Sequence, residues 1–257
     1  MPNVRLTGLG LAALLTACHV PVGLVGPTAV LPMAAQPVAA TVPTAGGTTV
    51  PGPWQPASGD WQSSAEALAP RMVYPKVDEA NRPYQLLYAT YTDGPLVAFR
   101  YFVLYYDEDL QSKVEDDAYD AFRRLYYGAV TDIEPIEVFA DATTQAFAGV
   151  AFKTAHGQPY YKVIVEENTW LTYRPGDLTA TDRVGDHPRI ADSTWNHLHD
   201  LPSVLQGLPY APDTDAPPLP VRALTSADEQ TLRFDRRGLV SDPKGDVTKL
   251  VTGRSDG

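Results

Sequence analysis

The 257-residue chain has a single cysteine, Cys18. With no second thiol it can form neither an internal disulfide nor a thiolate metal cage, so its core must be held by packing alone. Charge is missing from one end: from Leu6 through Gly59 there is no Asp, Glu, Lys or Arg. Positive charge is scarce overall, with 20 Lys and Arg against 31 Asp and Glu, a net charge of −11. A surface this acidic is repelled by phosphate backbones and anionic lipid, and nucleic-acid binding is not expected. There is also no Gly-x-Ser-x-Gly elbow, no phosphate-cradling glycine loop and no spare thiol, so nucleophilic catalysis has no support.

What the chain does have begins at its first residues. Arg5 is followed by Leu6-Thr7-Gly8-Leu9-Gly10-Leu11-Ala12-Ala13-Leu14-Leu15 and then by Thr16-Ala17-Cys18. One positive charge, a short apolar run and small residues form the layout of a secretory signal, too short to span a bilayer as a stable helix. Leu15-Thr16-Ala17-Cys18 resembles the lipobox of bacterial lipoproteins, in which a hydrophobic residue and two small ones precede a cysteine. The resemblance covers only about the first 20 residues. It implies cleavage before Cys18, a diacylglyceryl thioether on Cys18 and acylation of its freed amine. Anchoring by two or more chains is stable. Residue 19 is His, not the Asp that in many such proteins marks inner-membrane retention, so the outer membrane or cell surface is favoured.

Residues 18–59 read as an uncharged tether. Pro21, Pro27, Pro32, Pro37, Pro43, Pro51, Pro53 and Pro56 prevent helices and favour extended chain. Disordered spacers are usually charged or Ser-rich, whereas this one keeps Val22, Leu24, Val30, Leu31 and Val38. Those apolar side chains are candidates for docking onto another envelope protein.

Residues 60–209 read as one globular unit and 210–257 as a Pro-rich, then polar and mobile tail with a short helix near Ser226–Phe234. Strands are predicted at Tyr84–Tyr91 and Leu96–Tyr106, joined through the turn signal Thr92-Asp93-Gly94-Pro95. A helix follows, with Ser112 and Glu115 as a capping box, Arg123-Arg124 near its end and Gly128 after it. Its expected core-facing side is Val114, Ala118, Phe122 and Leu125. Further strands are predicted at Ile133–Ala140, Ala146–Lys153, Tyr160–Glu166 and Thr169–Arg174, with a turn at His156-Gly157-Gln158-Pro159. The order predicts an α+β fold: an antiparallel sheet with one main helix packed on a face, preceded by the long extended Pro/Ala/Val-rich segment.

Two constellations carry chemistry. His187, Asp192, His197 and His199 form a candidate divalent-metal set, because His197 and His199 on a strand would share a face. Against this, Asp192-Ser193-Thr194-Trp195 resembles a helix start, and helical residues two apart diverge. Asp132 and Glu134 also share a strand face, as paired carboxylates for acid–base work would, although exposed strand acids are usually just solvated. Thirteen of the 14 tyrosines lie between Tyr74 and Tyr173, a candidate aromatic binding surface or simply strand side chains.

The expectation is therefore a non-catalytic cell-envelope lipoprotein, a structural or interaction subunit of a surface or outer-membrane assembly. It would require no cofactor beyond the lipid on Cys18 and would meet the membrane through that anchor and other envelope proteins through the tether. The alternatives are a metal-dependent envelope hydrolase using Asp186–Asp200 and a small-ligand-binding lipoprotein.

Overall fold

The computed structural model describes residues 54–110, 112–155, 169–208 and 211–253. Cys18, the docking candidates Val22, Leu24, Val30, Leu31 and Val38, the His156–Pro159 turn and the Tyr160–Glu166 strand lie outside them. The fold is α+β, and its frame is a seven-stranded sheet. β1 (Gln55–Pro56) pairs antiparallel with the outer end of β3 (Pro83–Asp93). β3 and β4 (Leu96–Tyr105) form the expected hairpin, closed between Asp93 and Leu96. Gly94 sits there at φ +54°, a conformation that side-chain-bearing residues rarely adopt. β4 then pairs along its whole length with β5 (Asp132–Asp141), which pairs with β6 (Phe147–Lys153) and that with β7 (Trp170–Tyr173).

A second sheet is built from β2 (Arg71–Tyr74), β8 (Arg183–Val184), β9 (His187–Asp192), β10 (His199–Asp200) and β11 (Thr214–Asp215). β2 and β9 run parallel, while β10 folds back antiparallel on β9 with His199 opposite Asp192. Asp192 therefore ends a strand instead of capping a helix, and residues 193–198 form the connecting turn. Asp192 is fully buried, which suits a sheet terminus under the main sheet better than a solvent-facing cap.

β4 explains the packing. All ten of its residues are buried, as a continuous apolar run requires of a strand covered on both faces. Val97, Phe99, Tyr101, Val103 and Tyr105 face one core, shared with α1 (Gln62–Leu68), Met72, Ile190 and Leu201. Phe102 and Leu104 face another core, closed by Phe234 and Leu239 from the C-terminal region. The Phe102 and Phe234 rings lie 4.8 Å apart. Burial of Phe234 contributes about 2–3 kcal/mol to holding that cover down.

The polar stretch after residue 210, expected to be a tail, is thus part of this packing. β12 (Val221–Ala223) adds a parallel strand to β3. Beyond the short α3 (Pro202–Leu205) lie α4 (Ser226–Thr231) and α5 (Val247–Thr252). α4 is capped by Thr225: its Oγ1 accepts from the Asp228 amide, and Asp228 accepts from the Thr225 amide at 3.0 Å. Residues 241–245 are fastened to the sheet by a buried pair. Arg100 Nη1 donates to the Ser241 and Asp242 carbonyls at 2.8 and 2.7 Å, and Glu137 accepts from the Lys244 and Gly245 amides. Arg100 and Glu137 stand 3.6 Å apart on adjacent strands.

α2 (Lys113–Tyr127) forms where its sequence places it, with Ser112 at the N-cap position and left-handed Gly128 closing it. Its orientation reverses the expectation. Val114 and Leu125 are 79% and 80% exposed, Phe122 and Tyr126 nearly half exposed, and the one buried residue of the helix is Arg123. The Ser112 side chain makes no cap bond. The polar side faces inward because of the acidic groups it covers.

Candidate metal centre

Four separate pieces of chain meet beneath α2. The turn after β4 brings Asp107 and Glu108, the start of β5 brings Asp132 and Glu134, the turn between β9 and β10 brings His197, and the 3-10 turn at Lys76–Asn81 brings Asp78. Arg123 reaches down from α2 to Asp107 at 2.8 Å, Glu108 at 3.7 Å and Asp132 at 3.9 Å. Burial works against its charge, but Glu108, Asp132, Tyr119 and Asp107 outweigh burial and hold its pKa above the ordinary value. Tyr119, four residues before Arg123, donates its hydroxyl to Glu108.

His197 is fully buried and held at φ +55°. Nδ1 donates to Asp132 Oδ2 at 2.9 Å, and Nε2 faces Asp78 Oδ2 at 3.3 Å without good hydrogen-bond alignment. Asp78 is itself held by the Asn81 side-chain amide at 3.0 Å. Burial opposes a charged imidazole here, yet the bonds and charges of Asp132 and Asp78 prevail and raise its pKa well above 6.5. Asp132 is correspondingly lowered: burial would raise it, but His197 and Arg123 overcome that. The acids farther from His197 respond the other way. Burial, reinforced by Asp132, pushes Glu108 up to about 7 and Glu134 well above its usual range. Glu134 Oε2 has no hydrogen-bond partner among the described residues.

One ligand atom each from Glu108, Asp132 and His197 lies within 4.8 Å of the other two, and all three residues are buried. Two carboxylates and an imidazole suit a borderline divalent ion such as zinc or manganese.

Of the residues singled out in the sequence, the structure brings together His197 with Asp132 and Glu134, joining members of the two separate constellations. It does not gather the four-residue metal set. His199 lies in a neighbouring pocket of the core, Nδ1 3.2 Å from Asp192 Oδ1, and neither ring nitrogen makes an aligned hydrogen bond. His187 donates from Nδ1 to the Ala69 carbonyl at 2.9 Å, away from both. Asp132 is buried rather than solvated. Sequence reasoning missed Glu108, Asp78 and Arg123. The one available signal was the acidic run Asp107-Glu108-Asp109 directly after an apolar strand. Tyr74, Tyr88, Tyr101 and Tyr105 are core side chains, not an aromatic surface.

No family model matches this chain. No curated protein matches it either. Among solved structures it is similar to Necrosis and Ethylene inducing Protein 2 from the causal agent of cocoa's Witches Broom disease, at 14% identity over 72% of this chain and 81% of that one, TM-score 0.39. It is similar to NLPPya in complex with mannosamine, at 11% identity over 77% and 88%, TM-score 0.42. A third, described as a toxin fold for microbial attack and plant defense, is 13% identical over 70% and 82%, TM-score 0.41. At these scores none of the three assigns an activity.

Proposed function

We propose that this chain is a cell-envelope lipoprotein, anchored through Cys18 at the outer membrane or surface, whose globular unit is a non-catalytic interaction module built around a structural divalent-cation site. The observation that carries the cation site is the enclosed excess of acid. Asp78, Asp107, Glu108, Asp132 and Glu134 crowd around Arg123 and His197, with Lys153 and Arg237 the further cations that act on them. Burial, reinforced by Asp132, raises Glu108 and Glu134, so added positive charge would be needed to hold them ionised there. A cation on Glu108, Asp132 and His197 would supply it, displacing the proton that His197 otherwise holds, and couple metal binding to folding.

The enclosure favours a structural over a catalytic role. The cavity lined by Glu66, Arg71, Leu86 and Pro220 and the shallow one lined by Ser226, Arg233 and Phe234 include none of the cluster residues. No helix among the described residues is long and apolar enough to cross a membrane, and in this reading attachment rests on the lipid.

Elemental analysis of the purified full chain tests the reading, followed by thermal unfolding with zinc, manganese, magnesium or calcium after chelation. The expected result is about one zinc or manganese per chain and a rise in Tm on adding it back, about 2.7 kcal/mol at a hundredfold excess over Kd. Asp132→Asn should abolish the response. A metal-free chain whose Tm ignores all four ions would sink the site, and added turnover with the ion would favour the hydrolase alternative.

A further inference from the structure

α2 presents an apolar seam to solvent. Val114, Ala118, Ala121 and Leu125 are spaced four, three and four residues apart, the repeat of a two-helix seam. Val114 and Leu125 are about four-fifths exposed, Ala121 is exposed, and Phe122 flanks them, stacked on Tyr126 at 5.6 Å. The helix is fixed from its other side by Arg123, Tyr119 and Asp116, so it cannot roll to bury this seam within its own chain.

We propose that the seam pairs with the same helix of a second copy, antiparallel about a two-fold axis between Ala118 and Ala121. That arrangement is isologous. It sets Val114 of each copy against Leu125 of the other and the two small alanines face to face, so bulky ends flank a close central approach. Charge selects the direction. Asp117 and Arg124 lie one heptad apart along the same edge of the seam, with side chains 64% and 60% exposed. In an antiparallel pair residues of one edge meet their own edge, so Asp117 of each copy faces Arg124 of the other. A parallel pair would bring neither to an opposite charge. Among the described residues they are tied to Lys113 and Asp120, one turn away on the exposed surface, bonds that are easily shared. The seam is one face of a 15-residue helix, below the size of standard stable interfaces, so the association is weak.

Sedimentation equilibrium of the full chain in mild detergent tests this, with Asp117→Arg and Arg124→Asp made separately. Each variant places like charges at both symmetry-related contacts of that edge, and its dimer should weaken about tenfold. An equimolar mixture of the two should form a heterodimer close to wild-type strength, because the two contacts along that edge become complementary again. Shared micelles cannot produce that pattern. Leu125→Lys should weaken the dimer still further while leaving the circular dichroism spectrum unchanged. A monomeric wild-type chain, single variants that dimerise as well as wild type, a mixture that fails to recover, or a Leu125→Lys dimer of undiminished strength would each overturn the proposal. So would a monomer whose binding to lipid vesicles is lost in Leu125→Lys, which would make the seam a membrane contact.

Discussion

The imidazole of His197 lies flat on the ring of Tyr105, centroids 3.9 Å apart and planes within 4°. Tyr105 also donates its hydroxyl to Asp192 Oδ1 at 2.6 Å, the oxygen that faces His199. One central-strand tyrosine thus backs the acidic cluster with its face and holds the neighbouring buried carboxylate with its tip. Tyr105→Phe keeps the stack and removes the donor, and should cost about 1–3 kcal/mol. Tyr105→Ala loses both and should cost about 3–5 kcal/mol. Urea unfolding distinguishes them; equal losses would mean that the hydroxyl contributes nothing.

Arg123 is the least replaceable side chain of α2. Arg123→Met leaves Glu108 and Asp132 buried without their guanidinium, and a loss of about 3–5 kcal/mol is expected. Adding Glu108→Gln should return part of it, because one uncompensated acid is then gone. A double variant as unstable as the sum of the two single changes would show that the residues are not coupled.

Burial pushes Glu137 from 4.5 up to about 7, although Arg100 and the Lys244 and Gly245 amides pull the other way. Between about pH 4.5 and 7 the folded chain therefore retains a proton that the unfolded chain has released, and stability falls as pH rises across that window. Tm should be higher near pH 5 than near pH 7.5. Glu137→Gln should reduce the slope, leaving the share of Glu108, which is likewise raised to about 7, and an unchanged slope in that variant would assign the effect elsewhere.

Gly245 packs directly on the Phe139 ring, and any Cβ there would collide with it and crowd Ala151. Gly245→Val should undock residues 241–253 while leaving the main sheet intact. The expected readout is faster tryptic cleavage at Lys244 and Lys249; cleavage at the wild-type rate would show that the segment yields without detaching.

Cys18→Ser should move the protein from the detergent phase to the aqueous phase in phase partitioning and remove incorporation of labelled fatty acid. Retention in the membrane fraction without label would mean that something other than the lipid holds it there.

The β3–β4 hairpin was legible because alternation, a continuous apolar strand and a Gly-Pro turn are all local signals. α2 was legible as a helix for the same reason, but not in its orientation. Its apolar stripe of Val114, Ala118 and Leu125 is the usual mark of a core face, and only the gathering of Asp107, Glu108 and Asp132 from elsewhere makes Arg123 the buried side. The cluster itself joins residues from Asp78 to His197, a separation that no spacing rule bridges. The pinning of residues 241–245 was equally invisible, since the groups that Glu137 grips are backbone amides, which carry no side-chain pattern.

The cover over Phe102 and Leu104 comes from residues made after the sheet it protects. As the chain is made from its N-terminus, that side of the sheet stays open until Phe234 and Leu239 have been added. The sheet is therefore completed before its cover, and the native packing of Phe102 and Leu104 is the last part of this core to become available.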